Sequence, residues 1–250
     1  MPLAATALAA TDPELVAVVD RFAEDVQRDA PLDPRVRALL RLAGLVATGG
    51  TAAYRVELEE ALAAGVTPVE LKELLYQAVP YVGLGRAVDT LVVANELLAD
   101  RDVELPLPGQ STVTRGTRAG DGLAMQKRIV GGDVVDAMYA GAPTDEQHVQ
   151  RYLSAHCFGD HYTRGGLDVP TRELVTLVLL VALGGADPQV AGHVRANLNV
   201  GNDRATLVAV LTQLLPVVGY PRTLNALRAL DDVTPLTPEP TAGPDAEEES

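Results

Sequence analysis

The chain has 250 residues, enough for one large domain or two of ordinary size, and 47% are apolar, which suffices for a sizeable core. The net charge of −14 argues against nucleic-acid binding, which needs a basic surface, and no apolar run reaches the ~18–20 residues that span a bilayer. The single cysteine, Cys157, excludes an intrachain disulfide and predicts a cytoplasmic location, where thiols stay reduced.

Composition along the chain predicts two domains. Residues 1–10, MPLAATALAA, lack the basic start of a secretory signal, so we interpret them as a disordered leader. Residues 101–120 are rich in proline, glycine, serine and threonine, which is typical of a linker. Residues 232–250 end in TPEPTAGPDAEEES, which predicts an acidic disordered tail. The two domains are therefore expected at 11–100 and 121–231.

Two parts of the chain repeat the same motifs. LDPRVRALLRLAGLVATGG (32–50) and LDVPTRELVTLVLLVALGG (167–185) share Leu-Asp, a proline, an arginine, an apolar run and a final Gly-Gly. After a shift of one residue, GVTPVELKELLYQAVPYVGLGRAVDTL (65–91) aligns with GNDRATLVAVLTQLLPVVGYPRTLNAL (201–227). Because there are only two copies, they predict a pseudo-symmetric pair rather than a solenoid.

Both copies carry helix signals in the same order. Asp33 and Asp168 can cap the first helix of each copy, and Gly-Gly ends it. Residues 67–70 have capping-box spacing and open the third helix of the first copy. Gly83 and Gly219 end the third helices, and no segment alternates with the period of a strand. The sequence therefore predicts an all-α fold of two tandem units related by pseudo-two-fold symmetry.

Further helices are predicted before the second copy, in GLAMQKRIVGGDVVDAMYAG (122–141) and TDEQHVQRYLSAHCFGDHY (144–162). The stretch HCFGDHYTRGG (156–166) is dense in reactive side chains, and we interpret it as a loop that borders the pocket. Three of its side chains could bind a metal, those of His156, Cys157 and His161. They lack zinc-ligand spacing and a second ligand pair, so we expect no metal.

Four residues of this region and the following helices are candidates for substrate binding. His161 and Arg164 could hold an anionic substrate, and Tyr162 and Arg195 are further candidates. For Arg164, a local salt bridge with Asp160 is an equal alternative, and Arg195 could be a solvated helix charge.

Glu173 and His193 are the candidates for acid–base catalysis. Glu173 opens a nearly all-apolar helix, where it could interact with the helix dipole or serve as a desolvated proton-transfer group. A lone helical histidine is more often structural, but histidine is the side chain that exchanges protons near neutral pH. Ala38 and Glu57 align with the pair in the first copy, which predicts one active and one mainly structural half, with Glu57 as a minor candidate.

The motifs resemble those of the carboxymuconolactone decarboxylase family, which includes the AhpD-type alkylhydroperoxidases. The resemblance is densest in FGDHYTRGGLDVPTRELVTLVLLVALGG, HVRANLNVG and VVGYPRTLNAL, within 158–227, and a more diverged copy covers 32–98. It implies two AhpD-like helical units, no metal or organic cofactor, and assembly as a trimer of fused pairs. Self-association is also expected because helix 173–183, apolar on nearly all faces, needs more cover than one small unit provides.

The resemblance also bears on the chemistry. In the peroxidase branch a C-x-x-C pair precedes the histidine by seven and four residues, and a glutamate lies on the preceding helix. These positions are Ala186, Gln189, His193 and Glu173 here, so both thiols are missing and thiol peroxidase activity is disfavoured. Cys157 lies elsewhere. The resemblance thus implies catalytic roles for the histidine and the glutamate.

The sequence predicts a cofactor-independent acid–base enzyme for a small carbonyl, lactone or carboxylate substrate. Decarboxylation, isomerisation or cyclisation each fit, with His193 as the proton shuttle and Glu173 as its orienting or acidic partner. A tailoring role in specialised metabolism is one alternative, and a non-catalytic oligomeric binding or scaffold protein is another. A closed pocket that contains both side chains favours the enzyme, whereas exposure of either side chain to bulk solvent favours the scaffold.

Overall fold

The structure is a computed structural model that describes residues 8–235; residues 1–7 of the predicted leader and 236–250 of the predicted tail lie outside the described residues. The described part contains helices and no strand, which confirms the all-α prediction. The helices are α1 Leu8–Thr11, α2 Pro13–Asp29, α3 Pro34–Thr48, α4 Thr51–Ala63, α5 Pro68–Val82, α6 Leu84–Ala99, α7 Arg118–Val130, α8 Gly132–Gly141, α9 Gln147–Tyr152, a π-helical segment Leu153–Tyr162, α10 Val169–Leu183, α11 Asp187–Asn199, α12 Arg204–Val218 and α13 Tyr220–Val233.

The helices form two repeated units that pack against each other. The first unit comprises α2–α6, and the second comprises α9, the π-helical segment and α10–α13. α3 packs against α10, while α5 of the first unit packs on α10 and α12 of the second packs on α3. In the same way α2 contacts α12, and the π-helical segment contacts α5. This reciprocity is what a pseudo-two-fold axis between α3 and α10 produces, as the repeated motifs predict.

Side-chain contacts repeat along with the helices. Arg86, near the start of α6, donates a hydrogen bond to the carbonyl of Ala47 at the end of α3. Arg222, near the start of α13, donates to the carbonyl of Ala182 at the end of α10. Each arginine thereby satisfies a carbonyl in the last turn of a helix, where no intrahelical donor is present.

Local capping explains where these helices begin and end. Asp33 accepts hydrogen bonds from the first-turn backbone of α3, and Asp168 accepts one from the backbone of α10 at 2.8 Å. Thr67 and Glu70 form the predicted capping box at α5. Gly83 ends α5 at a φ of 80°, a backbone conformation that favours glycine. These predictions are confirmed.

One hydrophobic core spans both units. Every residue of α10 from Arg172 to Ala182 is buried, because α3, α5, α11 and α12 surround the helix. The helix does need more cover than one unit provides, and the other half of the same chain supplies it. Its burial therefore gives no argument for self-association, which stays a prediction. In residues 8–235 no helix has both the length and the apolar character needed to cross a membrane.

The segment before the second unit differs from its prediction. Gly131 divides residues 122–141 into α7 and α8, and α7 begins at Arg118, inside the predicted linker. The predicted loop 156–166 was wrong as far as Tyr162, because Leu153–Tyr162 forms a π-helix against α7 and α5. Its inward side chains include the buried Cys157 and Tyr162.

Candidate active site

Three of the predicted site residues lie in contact with one another. Glu173, in the first turns of α10, is completely buried. Its Oε1 accepts a hydrogen bond of 2.5 Å from the hydroxyl of Tyr162, and its Oε2 lies 2.9 Å from Nδ1 of His193. A carboxylate only accepts hydrogen bonds, so Nδ1 carries the proton and the two contacts fix both carboxylate oxygens.

The position of His193 leaves its other nitrogen available. Nε2 forms no hydrogen bond within residues 8–235, and 16% of the side chain is exposed. The ring meets the ring of Tyr81 edge-on, with centroids 5.8 Å apart. Asn197 donates hydrogen bonds to the backbone carbonyls of Glu173 (3.1 Å) and His193 (2.7 Å), which ties α11 to α10. The imidazole is thereby held with Nε2 as the atom that can meet a substrate.

Sequence reasoning missed Tyr81, which the first unit contributes from α5. Its hydroxyl lies 3.3 Å from the hydroxyl of Tyr162, which is also 2.7 Å from Thr176 Oγ1. Burial raises the pKa of Tyr81 and of Tyr162 well above the usual value, so both remain protonated donors. The available signal was a tyrosine in the last turn of α5, at a position where the second copy has Val217.

The lone cysteine lies beside this group in a protonated form. Cys157 is buried, and its thiol donates to the hydroxyl of Tyr81 at 3.4 Å. Burial raises the pKa of the Cys157 thiol to about 12. A nucleophilic thiolate is therefore scarce at neutral pH.

Arg164 is engaged by a buried ion-pair network. Its guanidinium binds both oxygens of Glu73, at 2.9 to 3.1 Å, and the fully buried Arg172 binds the same carboxylate at 3.0 Å. Arg172 also donates to Gln77 at 2.7 Å, and Gln77 donates to Thr176 at 2.9 Å. The network joins α5 of one unit to α10 of the other and reaches the hydrogen bonds around Glu173.

The remaining predicted binding residues lie outside the Glu173 group. Asp160 forms ion pairs with Arg118 and His156 rather than with Arg164, so the alternative salt bridge is not formed. His161 packs against the ring of His156 at 4.9 Å, and its buried Nδ1 has no hydrogen-bond partner among residues 8–235. Arg195 is exposed on α11 and forms no ion pair within the described chain.

The equivalent place in the first unit holds a cavity rather than an acid–base pair. Ala38 stands where the second unit has Glu173. Ala38 and Glu57 line a cavity of about 370 Å³, which is separate from the candidate site around Glu173. The first unit thus supplies Tyr81 to the candidate site, while Glu57 does not take part in it.

Comparison with known proteins identifies the family of the two helical units. A family model described as the carboxymuconolactone decarboxylase family matches residues 13–96 and 147–232, more than half of the chain. The chain belongs to this family. Its two matched segments correspond to the two helical units, which confirms the predicted tandem. A curated relative, the 4-carboxymuconolactone decarboxylase of Acinetobacter baylyi, is 28% identical over 112 residues, which cover 45% of this chain and 83% of the relative.

Proposed function

We propose that this member of the family is a cofactor-independent acid–base enzyme of decarboxylase, isomerase or cyclase type. Its substrate is a small carbonyl, lactone or carboxylate compound, and its location is the cytoplasm, as the single cysteine indicates. The observation that carries the proposal is the contact of 2.9 Å between His193 and the buried Glu173. Glu173 is completely buried and only 16% of the His193 side chain is exposed, which supports the enzyme over the scaffold alternative.

The proposed mechanism uses Nε2 of His193 as the proton-transferring atom. In a decarboxylation, His193 enters the step as the imidazolium, with a proton from solvent on Nε2. The electrons of the breaking carbon–carbon bond pass to the substrate carbonyl, CO₂ leaves, and the resulting enolate carbon takes that proton from Nε2. The imidazole regains a proton from water before the next turnover. Glu173 stabilises the protonated imidazole through Nδ1–H and keeps the ring in one orientation. Tyr162 holds the carboxylate through its second oxygen. An isomerisation would use the same nitrogen to remove and return a proton.

The proposal is tested by comparing His193→Gln with the wild type. The substrates to assay are 4-carboxymuconolactone, which the relative's name contains, and a panel of β-keto acids and unsaturated lactones. A positioned general acid or base contributes roughly 10²–10⁴-fold, so kcat should fall by about that factor. The circular dichroism spectrum and melting temperature should stay close to those of the wild type.

His148→Gln is the matched control, because His148 is exposed on α9, where its ring meets the ring of Tyr152. It should keep full activity. Turnover by His193→Gln at the wild-type rate would overturn the acid–base role. If no compound of the panel is turned over by the wild type, the scaffold alternative takes precedence.

A further inference from the structure

The cavity of the first unit lies where the second unit has its candidate site. Ala38 replaces Glu173 there, and the smaller side chain leaves open space between α2, α3 and α4. A volume of about 370 Å³ is at the small end of the range for ligand pockets, roughly 300–1,000 Å³. The charged residues that line it are Asp20, Glu24, Arg37, Arg41, Glu57 and Glu60.

Glu57 contributes a carboxylate that lacks hydrogen-bond donors. Only 3% of its side chain is exposed, and Oε1 lies 3.6 Å from Nη1 of Arg41, which is too long for a hydrogen bond. Oε2 is buried and accepts no hydrogen bond from residues 8–235. An unsatisfied carboxylate oxygen is costly in a folded protein, so the geometry indicates that a donor outside the described chain completes it.

The two arginines of the cavity donate no hydrogen bond to an anion within residues 8–235. Arg41 has a side chain only 12% exposed, and its contacts with Glu57 and Gln213 measure 3.6 and 3.5 Å. Arg37 donates to Gln27, a neutral group, and burial together with the charge of Arg41 lowers its pKa. Two neighbouring guanidinium groups without a hydrogen-bonded anion favour a carboxylate ligand, because a carboxylate can accept hydrogen bonds from both.

The overall charge of the lining selects between ligand classes. Asp20, Glu24, Glu57 and Glu60 outnumber the two arginines, so a simple anion is repelled on entry. A simple amine would in turn meet two guanidinium groups. A molecule that carries both charges satisfies the arginines with its carboxylate and the unsatisfied oxygen of Glu57 with its ammonium group.

We propose that this cavity binds a small zwitterion of the α-amino acid class. The carboxylate of the ligand lies between Arg37 and Arg41, and its ammonium group donates to Glu57. The site is separate from His193 and Glu173, so binding does not depend on the proposed enzymatic function.

The test is isothermal titration calorimetry of the full chain with each of the natural α-amino acids. Each amino acid is compared with the carboxylic acid that lacks its ammonium group and with the amine that lacks its carboxylate. At least one amino acid should bind, and its two partial analogues should bind at least tenfold more weakly. Absence of binding by every amino acid, or equal binding of the acid analogue, would overturn the proposal.

Variants locate the site. Glu57→Gln and Arg41→Gln should each weaken binding at least tenfold, whereas His193→Gln should leave it unchanged. Glu59→Gln is the matched control, because Glu59 is exposed on the same helix and does not line the cavity. If Arg41→Gln fails to fold, Glu57→Gln decides alone. Undiminished binding by Glu57→Gln would contradict the assignment.

Discussion

Burial decides the chemistry of Cys157. With the pKa of its thiol raised to about 12, only about one molecule in ten thousand carries a thiolate at pH 8. We therefore expect the native protein to react with Ellman's reagent roughly a thousandfold more slowly than an unperturbed thiol. The same protein in guanidinium chloride should react at once, and it serves as the control. Rapid labelling of the native chain would show that the thiol is accessible and ionised.

His161 should make the fold sensitive to acid. Burial, followed by the charge of His156, lowers the pKa of His161 to about 4 in the folded protein. In the unfolded chain the pKa of a histidine is about 6.5. Between these values the unfolded chain binds the proton more readily, so the free energy of unfolding falls as the pH drops from 6.5 towards 4. Above pH 6.5 this loss is absent.

Urea denaturation at pH 7 and pH 5 measures the effect. His161→Phe should lose less stability than the wild type over this interval, because the buried titrating group is gone. His148→Phe, at an exposed histidine, should lose as much as the wild type. Equal pH dependence in His161→Phe and the wild type would assign the acid sensitivity to other groups.

At the scale of elements, α7 and the π-helical segment approach so closely that only glycine fits at their contact. A Cβ on Gly122 would lie 2.1 Å from the carbonyl oxygen of Ser154, and one on Gly159 would lie 2.2 Å from that of Arg118. Both obstacles are backbone atoms, which cannot rotate away. The contact therefore fixes the segment that carries Tyr162 into the candidate site.

Gly122→Ala should consequently lower the free energy of unfolding by roughly 1–3 kcal/mol or more, as overpacking does. Gly120→Ala is the control in the same helix, because its Cβ would meet no atom within 4 Å. It should leave stability unchanged or raise it by up to about 1 kcal/mol through helix propensity. Thermal and urea denaturation compare the two, and equal stabilities would refute the backbone contact.

At the scale of the whole molecule, two equivalent helices expose apolar stripes. Leu84, Val88 and Val92 on α6 are 43–60% exposed, and Tyr220 and Leu224 on α13 are 59% and 55% exposed. Tyr220 and Leu224 occupy the positions equivalent to Leu84 and Val88. Contiguous exposed apolar surface marks interaction sites. Because the pseudo-two-fold repeats this surface within one chain, we propose that further copies of the chain cover it.

We expect an oligomer in solution, and the family resemblance implies a trimer of fused pairs. Multi-angle light scattering measures its mass at micromolar concentration. The double variant Val88→Asp/Leu224→Asp should lower that mass, because it places charge in both stripes. Val134→Asp is the control, since Val134 is exposed on α8, outside the stripes. A monomeric wild type would contradict the proposal.

The sequence by itself determined the features that depend on neighbouring residues. The caps at Asp33, Asp168 and Thr67 and the glycine ends of the helices follow from patterns within a few turns of chain. The two tandem units follow from the repetition of these patterns in a second copy. The residue types made Glu173 and His193 candidates, the resemblance implied their catalytic roles, and the structure places them in contact.

Only the tertiary structure decided which unit contributes which side chain. Tyr81 contacts Tyr162 across 81 positions of the chain, and Arg164 is bound by Glu73 across 91. Such contacts depend on the packing of α5 against α10 and the π-helical segment, which no local pattern encodes. The same packing leaves the donorless carboxylate of Glu57 beside a cavity. Burial by helices that are distant in the sequence therefore set the chemistry of these side chains, which their residue types alone do not reveal.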